Sequence, residues 1–415
     1  MGRLERKHGY TIDNLLSVDL VNADGDLRHV SDEDDPELFW GLRGAGANFG
    51  IATAFEFRLH PIGPNVTTAV VVFAIERARE AAALYRDLSR SAPDHMHLGL
   101  SFANAPGGRA TTPGQRGDAT VAVGATHVGD QRDAERDLRP LRGQIAPLLE
   151  TVTATTYLAV QKMSDEEMAW GKRFYMKGAF LDELSDTSVD RMAEHVSIAP
   201  GECSIGLWAQ GGATADVAED AMAFTGRGAA HWLGAEAFWV DKERDLDYIA
   251  WARAAMAALK PFTRAGQYVN DVVEQGDDVV RGIYGNKKYD RLRALKRTHD
   301  PDNVFRLNQN IRPCRDVPVL TGRTLPTGTA NSVCRAKGRK TKWQTTARPS
   351  SSSYVRWRRT TSKPRSDCSP TTSSRNTRSP ASASAEKTIG ARSSRTTRVE
   401  HREKRAPRTP IPSLM

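Results

Sequence analysis

The chain has 415 residues, which is enough for two domains and a substantial hydrophobic core. Its formal net charge of +9 is unevenly placed. Residues 316–415 carry 22 Lys and Arg against 5 Asp and Glu, whereas the residues before them carry 37 against 45. The basic character therefore belongs to the C-terminal segment, and the rest of the chain is mildly acidic.

Cysteine spacing and hydropathy exclude several classes of protein. The four cysteines are far apart, with no C-x-x-C pair and no neighbouring histidine cluster, so we expect neither a metal site nor a disulfide framework, and a reducing compartment. The N-terminus lacks the apolar core of a signal peptide, and no run of about eighteen apolar residues occurs. The sequence predicts a soluble, cytoplasmic protein without a membrane partner.

A β-hairpin is predicted close to the N-terminus. Residues 16–21 alternate between apolar and polar side chains, Asp24-Gly25 is a strong two-residue turn signal, and residues 27–30 form the returning strand. Only about a dozen residues precede this hairpin. Because a hairpin alone cannot form a stable sheet, we expect partner strands that this chain does not supply.

A helix, a glycine loop and a strand are predicted next. Acidic residues 31–35 supply an N-cap, and Pro36 suits the first helical position. The apolar face of this helix carries Leu38, Phe39 and Leu42. Gly44 is expected to end the helix, and from Ile51 the pattern changes to period two. The apolar face of the strand carries Ile51, Thr53, Phe55, Phe57 and Leu59.

Gly44, Gly46 and Gly50 frame the loop between this helix and strand. No side chain crowds a glycine loop, so a ligand can approach its peptide amides closely. The spacing G-A-G-A-N-F-G matches neither the dinucleotide fingerprint nor the P-loop, and the order is helix to strand. From the residues alone, a tight turn and a ligand-binding loop are both open.

The middle of the chain alternates predicted strands and helices, which favours an α+β domain with a mostly antiparallel sheet. Strands are predicted at 66–74, 97–104, 119–126, 175–181, 203–210 and 229–240. Helices are predicted around 81–88, 134–141, 189–196 and 241–259, the second of them disturbed by Pro140. Residues 106–117, rich in glycine and proline, predict a surface loop.

Two motif-rich blocks resemble one known family. The first is D-P-E-L-F-W-G-L-R-G-A-G-A-N-F-G-I-A-T-A-F-E-F-R-L-H-P-I, which begins at Asp35. The second contains Y-V-N from Tyr268, a Y-G pair, a helix with inward Tyr289, Leu292 and Leu295, and D-P-D-N-V-F-R-L-N-Q-N-I from Asp300. Together they resemble FAD-dependent oxidases of the vanillyl-alcohol-oxidase type, in the berberine-bridge-enzyme-like branch.

The resemblance implies a domain organisation. Residues 1–64 would be the second part of an FAD-binding domain of the PCMH type, whose first part is missing, so that the chain starts in mid-domain. Residues 65–265 would form an antiparallel-sheet substrate domain with helices, and residues 266–313 would return to the FAD domain. Residues 314–415, dominated by Arg, Ser, Thr, Pro and Ala, predict a disordered basic tail, which we interpret as an out-of-frame or read-through extension.

The resemblance also implies roles for particular residues. Tyr268 would be the catalytic base beside the flavin, although a phenol needs a cationic or hydrogen-bonded setting to act as a base near neutrality. The substrate side would carry Tyr175 and Lys177. The residues implied to hold FAD are Asp13, Asn14, Gly44, Gly46, Asn48, Gly50, Ile51, Asn270 and Asn308.

Each of these assignments has a structural alternative. Tyr268 and Asn270 could simply alternate along a sheet, and Asp13 with Asn14 could form an Asx turn before the first strand. Lys177 could be a solvated charge on an edge strand. Four aromatic residues could stack on a substrate or fill the core: Trp208, Trp232, Phe238 and Trp239.

The sequence also departs from the resembling family. The pyrophosphate loop and the R-x-G-G-H stretch that carries the covalent histidine are absent from this chain, as is the cysteine anchor of some members. Three functions follow as alternatives: an FAD-dependent oxidase that acts on a small molecule with oxygen, a non-catalytic remnant unable to bind FAD, and a nucleic-acid binder through the basic tail. We expect no specific nucleic-acid binding and a colourless chain when it is expressed alone, while substrate identity and oligomeric state are left open.

Overall fold

Two antiparallel sheets organise the protein in a computed structural model that describes residues 2–63, 65–104, 118–143, 145–165, 168–307, 309–314 and 354–358. These residues all belong to one unit, Met1–Thr360. The strands are β1 (Leu15–Val21), β2 (Leu27–Ser31), β3 (Ile51–Arg58), β4 (Asn65–Ala74), β5 (Met96–Asn104), β6 (Thr120–His127), β7 (Leu149–Thr156), β8 (Arg173–Leu181), β9 (Cys203–Ala209), β10 (His231–Trp239) and β11 (Tyr354–Arg358). The helices are α1 (Glu5–His8), α2 (Pro36–Ala45), α3 (Ala78–Ser91), α4 (Gln131–Leu138), α5 (Tyr157–Gln161), α6 (Asp186–Ser197), α7 (Asp245–Leu259) and α8 (Asp277–His299).

The smaller sheet has the strand order β11-β3-β1-β2 and contains the predicted hairpin. Asn22 closes the hairpin turn, since its Oδ1 accepts hydrogen bonds from the backbone N–H groups of Asp24 and Asp26. The apolar face predicted for β3 points largely outward, because Ile51 is 64% exposed and Phe55 40% exposed, whereas Ala54 on the other face is buried.

The larger sheet has the strand order β7-β4-β6-β5-β9-β10-β8, and all of its paired strands are antiparallel. Helix α6 contacts both α3 and α7, and the three helices cover one face of this sheet. The predicted α+β class, its strands and these helices are confirmed. Strand β7 was not expected, because an edge strand that is mostly exposed carries no apolar alternation to recognise.

The opposite face of the larger sheet meets the N-terminal hairpin, α2 and α8 in a second hydrophobic core. Phe180 and Trp232 contribute from the sheet, and Phe39 contributes from α2. Helix α8 contributes Tyr289, Leu292 and Leu295, which are all buried as the sequence predicts. This second core brings the start of the chain and residues 267–311 together, although more than two hundred positions separate them.

Several sequence predictions concern the loop at 106–117, Asn308 and the predicted tail. The loop at 106–117 and Asn308 lie outside the described residues, as does nearly all of the predicted tail. Within that tail, Tyr354–Arg358 pairs antiparallel with β3, a strand that the sequence analysis did not anticipate. Its sequence Y-V-R-W-R is rich in aromatic and β-branched residues, which favour strands, and β3 offers an edge for pairing.

Candidate active site

Two adjoining cavities, of about 370 and 260 Å³, lie between the glycine loop and the segment that follows Gln267. They share Gly44, Gly46, Val269 and Asn270, and we call them together the loop cleft. Asn48 lines one cavity and Tyr268 lines the other. The two sequence blocks that resemble one family therefore face a common space. The remaining lining residues are Tyr10, Thr11, Ile12, Leu42, Ala45, Ala47, Phe224, Val272, Tyr284 and Gln309.

The three glycines of the loop serve different purposes. Gly44 has φ of 142° and lies against the backbone of residues 223–224, where an added Cβ would fall 2.7 Å from the carbonyl carbon of Ala223. Gly50 packs on β1, where an added Cβ would lie 2.7 Å from the carbonyl oxygen of Val21. Only at Gly46 would a Cβ meet nothing closer than 3.9 Å. Of the three, Gly46 alone leaves room for a ligand.

Asn48 is buried, and its side chain forms hydrogen bonds within the protein. Its Oδ1 accepts a hydrogen bond from the backbone N–H of Ile311 at 2.8 Å, and its Nδ2 donates to Gln309 O at 3.2 Å. Lys296, fully buried, donates to Asn48 O at 2.7 Å and pairs with Asp300 at 2.6 Å. Asn48 therefore holds the C-terminal segment against the loop and shapes the cleft.

Tyr268 and Asn270 form the opposite wall of the cleft. Asn270 Nδ2 donates a hydrogen bond to the Tyr268 hydroxyl at 2.7 Å, and the Tyr268 ring packs edge to face on Phe224. Burial raises the pKa of Tyr268, against the opposing effect of the bond from Asn270. The phenol is thus protonated near neutral pH, and no Lys, Arg or His belongs to the described lining that could stabilise its anion.

Asp13 and Asn14 lie beside the cleft but direct their side chains into the fold. Asp13 forms a two-pronged ion pair with Arg227, with Nη1 to Oδ2 at 3.1 Å, and Arg227 is 2% exposed. Asn14 Nδ2 donates to His8 O at 2.9 Å, and its Oδ1 contacts the ring of His60. Both side chains are therefore engaged within the protein.

Arg227 was missed by the sequence analysis. It lies in an irregular T-G-R-G segment, where no apolar period marks a buried position. The two glycines that flank Arg227 were the only sequence feature that could have indicated a closely packed segment, since glycine lets one backbone approach another closely.

Four other candidate residues lie away from the loop cleft. Ile51 and Gly50 line neither of its cavities. Tyr175 faces the helical layer, where Arg253 of α7 donates to its hydroxyl at 3.1 Å. Lys177, two residues along the same edge strand, forms an ion pair with Glu274. The structure therefore puts Tyr175 and Lys177 on one face of β8, as alternation predicts, but groups neither with Tyr268.

A third cavity, of about 270 Å³, lies on the sheet face that does not carry the helices. Trp208 and Trp232 line it, with ring centroids 4.8 Å apart, together with His97 and Ser101. We call it the sheet cavity. Two other aromatic candidates are packed elsewhere: Phe238 beside Phe174, and Trp239 against Tyr248.

Asp271 connects the sheet cavity to the wall of the loop cleft. The indole of Trp232 donates to its Oδ2 at 2.6 Å, and the carboxylate lies over Gly178, where an added Cβ would be 2.8 Å from Asp271 Cγ. Burial raises the pKa of Asp271 to about 6. The sequence analysis did not single out Asp271, although it directly follows the Y-V-N motif.

The loop cleft fits a flat ring better than a dinucleotide. Its lining is mostly apolar or backbone, and Gly46 leaves one wall open. A diphosphate is usually held by cations or a cluster of free amides. The described lining residues include no Lys, Arg or His, so they suit the ring part of a flavin and leave its diphosphate without a cation.

Comparison with known proteins agrees with this arrangement. The family model for berberine and berberine-like proteins matches residues 267–312, the segment that forms one wall of the cleft. An FAD-linked oxidoreductase of Dictyostelium discoideum is 26% identical over 319 residues, which cover 76% of this chain and 67% of that protein. The (R)-6-hydroxynicotine oxidase of Paenarthrobacter nicotinovorans is 29% identical over 340 residues, covering 75% and 68%. Residues 267–312 thus match the berberine and berberine-like family, and the chain is similar in sequence to FAD-linked oxidoreductases.

The fold of the chain is similar to that of a solved structure. The structure of the berberine-bridge-like protein 1 of Physcomitrella patens aligns with a TM-score of 0.65 at 18% identity, over 76% of this chain and 68% of that one. The chain spans about two thirds of the length of the curated relatives described above. None of the described helices combines the length and the apolar character needed to cross a bilayer.

Proposed function

We propose that this chain forms part of an FAD-dependent oxidase that removes hydride from an alcohol or amine C–H of a small organic substrate, with oxygen as the final acceptor. The observation that carries the proposal is the meeting of Gly46 and Tyr268 around one cleft. When bound, FAD would supply the hydride acceptor. The residues of the chain would supply binding, orientation and control of the heteroatom proton.

The loop of residues 44–48 and Asn270 are the groups proposed to hold the flavin ring. Gly46 supports this role because it lets a flat ring approach the backbone. Gly44 and Asn48 contribute indirectly, since their own contacts fix the loop against residues 223–224 and 309–311.

Tyr268 is proposed to contact the substrate heteroatom. Its pKa is raised by burial, so in this environment the hydroxyl donates a hydrogen bond and orients the substrate. To act as the base, as the family resemblance implies, the phenol needs a nearby positive charge that lowers its pKa. Asp271 has a pKa closer to neutrality, but its carboxylate bonds Trp232 instead of lining the cleft.

We propose that the sheet cavity receives the part of the substrate that does not react. Trp208 and Trp232 offer two adjacent indole rings, which suit stacking on a ring-shaped compound. One relative is named as an (R)-6-hydroxynicotine oxidase and so, by its name, acts on hydroxynicotine. A small molecule with at least one ring is therefore the substrate class that we favour.

A non-catalytic role is the second candidate. The lack of Lys, Arg and His among the described lining residues of the loop cleft favours it, because the diphosphate of FAD then has no cationic partner. In this candidate the chain cannot hold FAD, in agreement with the expectation of a colourless product.

Flavin titration distinguishes the two candidates. FAD and lumiflavin, which is the ring alone, would be added to the folded chain while flavin fluorescence is followed. We expect both to be quenched, with dissociation constants within about tenfold of each other, since the ring makes the contacts. The Tyr268→Phe variant should alter quenching, whereas the control Tyr157→Phe should not. An unchanged fluorescence with millimolar chain, folded by circular dichroism, would leave only the non-catalytic candidate.

A further inference from the structure

Three side chains of metal-ligating type meet outside both the loop cleft and the sheet cavity. His95 precedes β5, His127 ends β6 and Asp137 lies on α4. The Nε2 atoms of both histidines lie 3.1 Å from the same carboxylate oxygen, Oδ2 of Asp137. One donor atom from each residue lies within 4.8 Å of the other two.

We propose that His95, His127 and Asp137 form a binding site for a divalent transition metal, with Zn²⁺ as the favoured ion. Imidazole nitrogen and carboxylate oxygen are common zinc ligands, at about 2.0–2.2 Å from the ion. Ligand atoms on adjacent corners of a tetrahedron are then about 3.3–3.6 Å apart. The two observed separations of 3.1 Å are slightly shorter than that edge, so small rotations of the rings suffice to admit the ion.

The surroundings favour a site with one open position. The side chain of His127 is fully buried, and Gly129 packs on its ring, where an added Cβ would be 2.7 Å from Cε1. His95 is 32% exposed, so water reaches the cluster from its side. Three protein ligands and one water are the arrangement of an exchangeable zinc site, whereas purely structural sites are closed by four protein ligands.

Arg136 competes with a metal for the same carboxylate. Its Nε donates to Asp137 Oδ1 at 2.8 Å and its Nη2 to Oδ2 at 3.2 Å. The Arg136 side chain is 62% exposed, so it can leave the carboxylate without disturbing the core. Removing Arg136 should therefore strengthen metal binding, an outcome that a simple hydrogen-bonded cluster would not produce.

Binding of Zn²⁺ and Co²⁺ to the chelator-treated chain tests the proposal. Isothermal titration should give one ion per chain, and Co²⁺ should produce the visible absorption of a tetrahedral ion. His95→Ala is expected to weaken binding at least tenfold, and Arg136→Gln to strengthen it several-fold. Because metal binds the folded state, saturating Zn²⁺ should also raise the melting temperature of the wild type but not of His95→Ala.

A matched control is His29→Ala. His29 also contacts a carboxylate, with Nδ1 2.7 Å from Asp19 Oδ1, but within the described part of the chain this pair does not belong to a group of three metal-ligating side chains. This variant should bind Zn²⁺ as the wild type does. The proposal is overturned if no saturable binding occurs at millimolar metal, or if His95→Ala binds with wild-type affinity. Neither result depends on flavin, so the test is independent of the proposed oxidase function.

Discussion

The ammonium group of Lys296 on α8 donates a hydrogen bond to the backbone carbonyl of Asn48 at 2.7 Å. The same group bonds Phe305 O at 2.7 Å and Asp300 Oδ2 at 2.6 Å, and both Lys296 and Asp300 are fully buried. One cation thus joins the glycine loop, the last helix and the chain that follows it. The shape of the loop cleft depends on this contact.

Replacing Lys296 with Met should destabilise the protein by about 3–5 kcal/mol, because Asp300 would keep a buried charge without its partner. Chemical denaturation followed by circular dichroism measures the loss. Lys287→Met is the matched control, since Lys287 is exposed on the same helix and should change stability by less than about 0.5 kcal/mol. Equal stabilities of the two variants would contradict the importance given to Lys296.

Gly46 and Gly44 should respond in opposite ways to alanine. Gly46 has a helical φ of −52° and open space for a Cβ, so Gly46→Ala should leave the melting temperature almost unchanged while it weakens lumiflavin binding. Gly44→Ala should lower stability by several kcal/mol, on the order of the cost of overpacking plus a strained φ. Thermal melts and flavin fluorescence provide both readings. Lumiflavin affinity unaffected by Gly46→Ala would contradict ring binding at this loop.

Asp13 should contribute strongly to the stability of the fold and not to flavin binding. Asp13→Asn leaves the buried guanidinium of Arg227 without its carboxylate, so we expect a loss of about 3–5 kcal/mol. The exposed Asp26→Asn serves as control. In samples without denaturant, in which circular dichroism shows both variants to be folded, the affinity of each for lumiflavin should equal that of the wild type. A folded Asp13→Asn protein with much weaker affinity would instead support the cofactor role that the resemblance implied.

The sequence predicted the secondary-structure elements more completely than it predicted the candidate site. Patterns of period two and 3.6 gave the hairpin, the strands of the larger sheet and α8, because in these elements one face is buried and the pattern records it. The same logic failed for β7, which is exposed on both faces, and it gave no indication that Ile51 on β3 points to solvent.

The candidate site was harder to predict from the sequence, because the contacts that shape it join residues far apart in the chain. Gly44 and Gly46 look alike in the sequence, and only the approach of residues 223–224 distinguishes them. The motif indicated Tyr268 and Asn270 as site candidates, and both line the cleft. It could not indicate that Asn48 bonds Ile311, since that contact joins residues 263 positions apart. The motifs indicated which segments form the walls of the cleft, but only the structure shows which contacts each side chain makes.

Asp271 should make stability depend on pH. Its ordinary pKa is 3.8 and burial raises it to about 6 in the folded protein, so the folded state favours the protonated carboxyl. The stabilisation is fully present below about pH 4 and is lost as the pH rises through 6. A rise of about two pKa units corresponds to a loss of about 3 kcal/mol.

Asp271→Asn should remove this dependence, because an amide stays neutral and its oxygen still accepts the hydrogen bond from Trp232. The variant should match the wild type near pH 4 and exceed its stability by about 2–3 kcal/mol near pH 8. Urea denaturation across this pH range measures the difference, with the exposed Asp302→Asn as control. Parallel pH profiles for Asp271→Asn and the wild type would show that the carboxyl titrates as an ordinary exposed group and would remove Asp271 as the link between the sheet cavity and the loop cleft.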